Sequence, residues 1–482
     1  MRSIFFVVIL HSFIPITNAQ PKYAKQQIIE DLKILKDIII ETNPILTKEQ
    51  KDSIEGKLSQ ALRMFPADSA SSVEMIKYFK SQNINTFYDD HANIILGEKA
   101  LPTSAAFFPL PLYSIDSALL VNIENGPVPY GSIIESINGL PIAEIVGKLT
   151  KGNEQGSFGK YMLNTSFSFL FFLAYGAADK FDISYKDDIK NTKRNNETCK
   201  AITLTEALKM NSGAIFPLNR NNAQNQVNIQ TQFDNNSKTY YLKLNSFGLS
   251  EGNDSSLAYL QFLSLFNKVF MDIRLKSAKT LILDIRGNPG GKMEIPGLLF
   301  SYLRDTVFNE VLYEKMPPMK NIPFKYLKTI DNNFIGSKSE LRKRLYRLYD
   351  GFSENQSQAN RIVIYKRKPN PYFFSGDTYL LVDGGTFSAA AYFAALFKVY
   401  KRGSIIGSPI GGPLNKITAG HLLQYELPNT KVVITVPLML ITFGKDNLVD
   451  EYITPDYLVP FQQEYQYFLF KKDWGKDINT IP

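Results

Sequence analysis

The spacing of apolar residues divides the chain into helical and strand-rich parts. Residues 24–63 and 71–80 carry apolar side chains three and four positions apart, which predicts amphipathic helices. Between residues 110 and 145, short apolar runs alternate with Gly and Pro, which predicts a small β-rich module. Residues 210–237 are rich in Asn and Gln and are typical of a surface connection.

A different pattern begins at Thr239. Five short apolar runs have the length and composition of strands: "TYYLKLNSF", "TLILDIRG", "TYLLVDGG", "GSIIGSP" and "VVITVPLM". Helix-like stretches separate the first four of these runs. This alternation predicts an α/β domain with buried, largely parallel strands.

Length and composition indicate how many domains the chain forms and in which cellular compartment it acts. With 482 residues and 44% hydrophobic content, the chain can build several cores and is expected to form two to four domains. Residues 1–19 have a basic start, a short apolar stretch and small residues before Gln20, which predicts a secretory signal peptide. No later apolar run reaches the length of a membrane span, so we expect an exported protein, periplasmic or extracellular in a bacterium.

Cysteine and charge narrow the possible functions. Cys199 is the only cysteine, which excludes an intrachain disulfide and a cysteine-rich metal site. The net charge is +8, and residues 301–372 hold fourteen Lys/Arg against seven Asp/Glu, a difference of +7. The run "ELRKRLYRLYD" within them predicts either a solvated helix face or a surface for an acidic partner or a membrane. A nucleic-acid partner is not expected, because no binding module accompanies the charge.

Two stretches combine a strand, a glycine turn and the start of a helix. In residues 379–398, Ser388 follows the turn and is predicted to be either a helix N-cap or an exposed nucleophile. In residues 281–303, the pair Gly290-Gly291 follows a strand. It predicts either a structural turn or a set of backbone N–H groups that binds an anion. The stretch has neither a Walker loop nor a dinucleotide fingerprint.

Taken in order, "LILDIRGNPGG", "DGGTFSAA", "IIGSPIGG" and "TPDYLV" resemble the blocks of the carboxy-terminal processing (tail-specific) serine peptidases. "YLKLNSF" resembles the strand that opens their catalytic domain, and "GSIIESINGLPIAEI" resembles part of their PDZ-like module. The resemblance implies an α+β multidomain fold. Its predicted parts are an N-terminal helical region (20–104), a PDZ-like β-rich module (105–210), a connection (211–238) and an α/β catalytic domain of the ClpP/crotonase-like type (239–482) with a basic insertion (301–372).

The resemblance also implies roles for particular residues. Ser388 would be the nucleophile, and the oxyanion would be bound by the backbone N–H of Ala389 together with a glycine of the pair Gly290 and Gly291. Many of these enzymes use a serine–lysine dyad, but here the position of that lysine falls on Pro413. The nearest lysine, Lys416, lies three residues further on, a displacement of about 10 Å along an extended strand.

A histidine can replace the missing lysine. "FYDDHANI" resembles the Asp-x-His block of the branch related to the catalytic core of tricorn protease, where a histidine before the catalytic domain is the base. His91 is therefore the predicted general base, and imidazole suits this role because it titrates near neutral pH. His421, the other histidine of the mature chain, lies in a predicted strand and is expected to be structural.

The carboxylate that would orient the base has several candidates. Asp450 is the first choice and Glu451 the alternate, because both precede the "TPDYLV" block. Asp89 and Asp90 are adjacent to the histidine and could also orient its ring. A separate pair, Asp284 and Arg286, is predicted to form an ion pair that braces the oxyanion turn.

Together these features predict an exported serine endopeptidase that acts through an acyl-enzyme on a peptide or protein substrate. The alternatives are a non-catalytic protein that binds peptides or hydrophobic ligands on the same scaffold, and an esterase. No metal or organic cofactor is expected. The basic insertion at 301–372 is predicted to lie over or beside the cleft and to favour acidic substrates.

Overall fold

The computed structural model describes most of the chain after residue 20. The described ranges are 21–43, 46–81, 91–96, 101, 104, 106–150, 157–216, 229–248, 255–331, 336–354, 358–412, 416–443 and 453–477. No helix within these ranges is long and apolar enough to cross a membrane.

The N-terminal unit is mainly helical. Its elements are β1 (Lys22–Ala24), α1 (Lys25–Thr42), α2 (Lys48–Arg63), β2 (Ser69–Ser71), α3 (Ser72–Ser81) and β3 (Asn93–Ile95). Helix α2 begins with a capping box between Thr47 and Gln50. The buried carboxylate of Asp31 on α1 accepts hydrogen bonds from the backbone N–H and the hydroxyl of Thr430. This contact fastens the helices to the last third of the chain.

The middle unit is an antiparallel sheet covered by helices. Its elements are β4 (Leu112–Ile115), β5 (Ala118–Val121), β6 (Ile133–Ile137), β7 (Leu140–Pro141), α4 (Ile142–Thr150), α5 (Phe158–Tyr175), β8 (Lys180–Lys186), β9 (Asn195–Lys200) and α6 (Leu204–Gly213). The strand order is β4-β5-β6-β8-β9, with β7 paired to β6. Phe108 packs edge-on against Phe167 of α5 and Phe181 of β8, which fixes the helix on the sheet.

The C-terminal part contains two sheets. Its elements are β10 (Ile229–Asp234), β11 (Thr239–Leu244), α7 (Ser255–Leu275), β12 (Thr280–Asp284), α8 (Glu294–Phe300), β13 (Phe308–Met316), β14 (Leu327–Ile330), α9 (Lys338–Leu348), β15 (Ser353–Glu354), β16 (Ala359–Arg367), β17 (Asp377–Val382), α10 (Ala389–Val399), β18 (Ser404–Gly407), β19 (Lys416–Glu426), β20 (Val433–Phe443), β21 (Tyr457–Leu458) and α11 (Phe461–Leu469).

The first sheet has six strands in the order β10-β11-β12-β17-β18-β21. All pairs are parallel except β10–β11, which is antiparallel. The parallel strands are those expected from the alternation of strands and helices. Strand β10 lies in the stretch predicted as a surface connection. It was not predicted as a strand because polar residues surround its short alternating pattern.

The second sheet has seven strands and is antiparallel, in the order β14-β19-β20-β13-β16-β15, with β3 added beside β20. The run "VVITVPLM" is a strand as predicted and forms part of β20, but all its pairs are antiparallel, so the expectation of largely parallel strands does not extend to it. Its apolar composition suits a buried strand of either kind, so composition did not reveal its partners. The basic residues 301–372 supply β13, β14, β15, β16 and α9.

Candidate active site

The two glycine turns lie side by side at one edge of the parallel sheet. Strands β12 and β17 are neighbours, with Asp284 opposite Leu381, so the chain leaves both strands at the same edge. The backbone N–H of Phe387 donates a hydrogen bond of 3.0 Å to the carbonyl of Asn288, which joins the two turns directly. Parallel pairing therefore brings together two segments that are far apart in sequence.

Ser388 occupies the sharp turn between β17 and α10. Its backbone has φ 54° and ψ −124°, a strained conformation for a residue other than glycine. Although it stands at the N-cap position, its side chain makes no capping hydrogen bond. The residue is nearly buried, with 9% of its surface exposed. This geometry is that of a nucleophile elbow, and the predicted capping role of the hydroxyl is not observed.

The glycine pair packs directly against this serine. A Cβ atom at Gly290 would lie 2.8 Å from both Ser388 Cβ and the backbone nitrogen of Ala389, so no larger residue fits. Gly291 is equally restricted, because a Cβ there would lie 2.1 Å from the backbone of Phe247. The turn thus depends on glycine at both positions.

The backbone N–H groups near the serine differ in availability. The N–H of Gly290 donates to Asn288 Oδ1 at 2.9 Å. Within the described residues, the N–H groups of Gly291 and Ala389 donate no hydrogen bond. Ala389 also begins α10, where the helix dipole favours negative charge. Gly291 and Ala389 are therefore better donors to an oxyanion than Gly290.

Asp383 ties the two turns together and was missed from the sequence. Its Oδ1 atom accepts hydrogen bonds from the N–H groups of Gly287, at 2.7 Å, and Gly385, at 2.9 Å. Burial raises the pKa of this carboxyl, against the opposing effect of the Gly287 N–H. Its position at the end of a strand and before two glycines is the only sequence signal for this role.

His91 lies beside the turn that contains Ser388. Its imidazole contacts the ring of Phe387, with 4.6 Å between ring centroids and 32° between the ring planes. On α5 of the middle unit, Phe158 stacks on the same phenylalanine at 4.3 Å. Two residues after the histidine, strand β3 pairs with β20 and fixes this part of the chain in the seven-stranded sheet. The fold thus brings His91 next to the residue that precedes Ser388.

Other predicted site residues have different outcomes. Asp450, Glu451, Asp89, Asp90 and Pro413 lie outside the described residues. Lys416 begins β19, but its side chain is not among those described.

His421 lies in β19, and its Nδ1 atom is 2.9 Å from Asp331 Oδ2. Burial opposes ionisation of Asp331, but the hydrogen bond and charge of His421 lower the pKa of this carboxyl below its ordinary value. This arrangement is consistent with the structural role expected for His421.

The predicted ion pair of Asp284 and Arg286 is confirmed. Two hydrogen bonds from the guanidinium, of 3.0 and 2.6 Å, meet the two carboxylate oxygens. Lys243 Nζ lies 3.0 Å from the same carboxylate. Although burial opposes ionisation, these two cations hold the pKa of Asp284 well below its usual range. The guanidinium also donates to Asp473 at 2.6 Å, which attaches the C-terminal segment to the glycine turn that follows β12.

A cavity of about 70 Å³ lies next to this pair, between the middle unit and the parallel sheet. Its walls include Tyr161 of α5, Arg286, Asp383 and Glu464 of α11. Burial raises the pKa of Glu464 to about 7, while the charge of Arg286 opposes the shift. Among the described residues, no three His, Cys, Asp or Glu side chains are grouped as a metal site would require.

Comparison with known proteins agrees with this geometry. Residues 238–459 match Peptidase family S41, and this range contains both glycine turns and Ser388. No curated protein matches the chain.

The solved structures similar to this one include mature CPAF. The two chains are 14% identical with a TM-score of 0.60, over 95% of this chain and 98% of that chain. The complex of mature CPAF with lactacystin gives 13% identity and a TM-score of 0.61 over the same shares. A photosystem II D1 C-terminal processing protease is 13% identical over 92% of this chain and 97% of that chain, with a TM-score of only 0.40.

Residues 238–459 therefore form a Peptidase family S41 domain, and the chain is of the serine-type peptidase class. Its fold is a mixed α/β multidomain fold shared with mature CPAF.

Proposed function

We propose that this protein is an exported serine endopeptidase in which Ser388 is the nucleophile and His91 the general base. The observation that carries the proposal is the contact of the His91 ring with Phe387, next to a serine in a strained turn at the start of a helix. The side chain of this serine is not used for capping. A nearby imidazole supports its activation.

The proposed reaction follows from this arrangement. His91 accepts the hydroxyl proton as Ser388 Oγ attacks the scissile carbonyl carbon, and the carbonyl oxygen becomes an oxyanion. The N–H groups of Gly291 and Ala389 donate to that oxygen, with Gly290 shaping the turn. The imidazolium then protonates the leaving amine, and an acyl-enzyme forms. Water, deprotonated by the same imidazole, hydrolyses the ester and releases the serine.

Asp450 is the proposed orienting carboxylate, with Glu451 as the alternate. We further propose that the middle unit is a PDZ-like module that takes an extended peptide by strand addition, and that the catalytic unit is of the ClpP/crotonase-like type. The contact of Phe158 with Phe387 supports a link between this module and the site. Export is proposed from the apolar stretch in residues 1–19.

The test is covalent labelling of the full chain with a fluorophosphonate, followed by peptide mapping. The proposal expects one phosphonylated residue, Ser388, and no label in Ser388→Ala. The same preparation should cleave an unstructured protein substrate at internal peptide bonds. A folded chain that neither reacts nor cleaves would instead favour the non-catalytic binding protein, and a preference for small esters would favour an esterase.

A further inference from the structure

Strand β16 forms an incompletely paired edge of the seven-stranded sheet. On one side it pairs with β13 along its whole length, from Arg367 opposite Phe308 to Ala359 opposite Met316. On the other side β15 covers only Asn360 and Ala359. Within the described part of the chain, no strand pairs with the outer edge of residues 361–367. Alternate backbone N–H and C=O groups there point away from the sheet.

An apolar strip lies on the outward face of this edge. Ile362 and Ile364 are 60% and 62% exposed, and they stand opposite Tyr313 and Val311 of β13. The inward residues of β13, by contrast, are buried. Two large β-branched side chains so exposed on an unpaired edge are unusual in a soluble protein.

Exposed positive charge continues the strip at one end. Lys366 lies on the same face as the two isoleucines, and Lys368 follows directly after the strand; both are exposed. The two glutamates of the neighbouring strand β13 form ion pairs with arginines of β16. Glu310 pairs with Arg367, and Glu314 pairs with Arg361 on the inward face. Within the described ranges neither Lys366 nor Lys368 forms an ion pair, so the edge presents an apolar half and a basic half.

From this juxtaposition we infer that β16 binds an extended protein segment that adds as a further antiparallel strand, with apolar side chains beside Ile362 and Ile364 and acidic side chains beside Lys366 and Lys368. Backbone hydrogen bonds would supply affinity, and the alternate side chains would supply specificity. This surface shares no residue with the Ser388 turn, and it would act as a docking site for an acidic-apolar segment of a partner protein.

A second copy of the chain fits this edge less well. In a two-fold antiparallel pair centred on Ile364, Lys366 of each copy would stand opposite Ile362 of the other copy, so a second copy offers the lysines no acidic side chain. Lysines on an exposed edge also discourage self-association. An acidic-apolar segment, by contrast, would place a carboxylate opposite each lysine.

The test uses the full chain carrying Ser388→Ala, so that binding is measured without turnover and its result is independent of the proposed mechanism. The probe is a fluorescent peptide, Glu-Thr-Glu-Thr-Val-Thr-Val, whose order places valines opposite the isoleucines and glutamates opposite the lysines. We expect saturable binding that weakens when salt rises from roughly 0.05 to 0.5 M. Ile364→Glu should weaken it by about tenfold or more. The matched control, Leu260→Glu, changes a leucine that is 60% exposed on α7 and should have no effect.

Exchanging the charges of the edge and the peptide tests whether the two lysines select the acidic side chains. The double variant Lys366→Glu with Lys368→Glu should prefer the peptide Lys-Thr-Lys-Thr-Val-Thr-Val over the acidic one. N-methylation of the alternate peptide amides that face β16 should abolish binding. N-methylation of the other set, which faces away from β16, should leave binding intact. Equal affinity for both peptides, no effect of Ile364→Glu, or no binding at millimolar peptide would overturn the inference. A dimer in ultracentrifugation that becomes a monomer in Ile364→Glu would assign the edge to a second copy instead.

Discussion

The imidazole of His91 lies against the ring of Phe387, with 4.6 Å between their centroids, and Phe387 immediately precedes Ser388. Phe158 of the middle unit packs on the same phenylalanine. One aromatic side chain therefore links the N-terminal unit, the middle unit and the turn that contains Ser388. This relationship explains how a histidine almost 300 residues before the serine can reach the same site.

The first prediction concerns this aromatic contact. Phe387→Leu keeps the position apolar but removes the ring that meets His91, so kcat should fall roughly two- to tenfold while KM changes little. Steady-state peptide hydrolysis measures both constants. Phe373→Leu alters an exposed ring away from the contact and serves as control. Equal kcat values in the two variants would show that the ring does not position the imidazole.

The second prediction concerns the fit of the glycine turn against the serine. Gly290→Ala places a methyl group 2.8 Å from Ser388 Cβ and adds strain at φ 98°. The displaced serine should lower kcat/KM by roughly 100-fold. Gly147→Ala is the control, because a Cβ at that helical glycine meets nothing within 4 Å. Normal activity in Gly290→Ala would mean that the turn and the serine do not form one unit.

Asp383 gives the third prediction. Asp383→Ala removes the acceptor of the Gly287 and Gly385 N–H groups, and the buried donors left unpaired should lower the free energy of unfolding by about 1–3 kcal/mol. Asp383→Asn keeps one acceptor oxygen and should be milder. Urea unfolding compares the two variants. If they are equally stable, the carboxylate oxygen does not hold the turns together.

Much of this local geometry could be predicted from the sequence, whereas its surroundings could not. The units around Gly290 and Ser388 are contiguous strand–turn–helix stretches, so the local sequence was sufficient to predict their strand, turn and helix. The pairing of β3 with β20 joins segments more than 300 residues apart, and the local spacing of apolar residues does not indicate it. For the same reason the antiparallel partners of the apolar run in β20 could not be foreseen.

The residues that support the site were the hardest to foresee. Phe158, Tyr161 and Glu464 have ordinary apolar or helical contexts, and their roles arise only where separate units meet. Asp284 and Arg286 were predictable as a pair, because two residues on one strand end lie close whatever the remaining fold.

The fourth prediction concerns pH and Glu464. The pKa of this carboxyl is raised by burial from 4.5 to about 7, so the folded state binds more protons than the unfolded state between these values. The contribution of Glu464 to the free energy of unfolding should therefore be most favourable below about pH 4.5 and should decrease as pH rises to about 7. At about 1.4 kcal/mol per pH unit, the full effect is about 3 kcal/mol.

Glu464→Gln removes this titration. Relative to wild type, the variant should gain stability at pH 8 and lose that advantage at pH 4.5. Urea unfolding at several pH values measures the difference. A free-energy difference between variant and wild type that is independent of pH would contradict a raised pKa of Glu464.

The most direct test of the central account is the rate at which a fluorophosphonate modifies Ser388 in three forms of the chain: wild type, His91→Ala and Lys416→Ala. Removal of a general base should slow the attack by about 10³-fold or more, whereas removal of an uninvolved lysine should leave the rate within roughly twofold. The account predicts the large loss in His91→Ala and the small change in Lys416→Ala. The reverse result, a normal rate without the histidine and a large loss without the lysine, would contradict it.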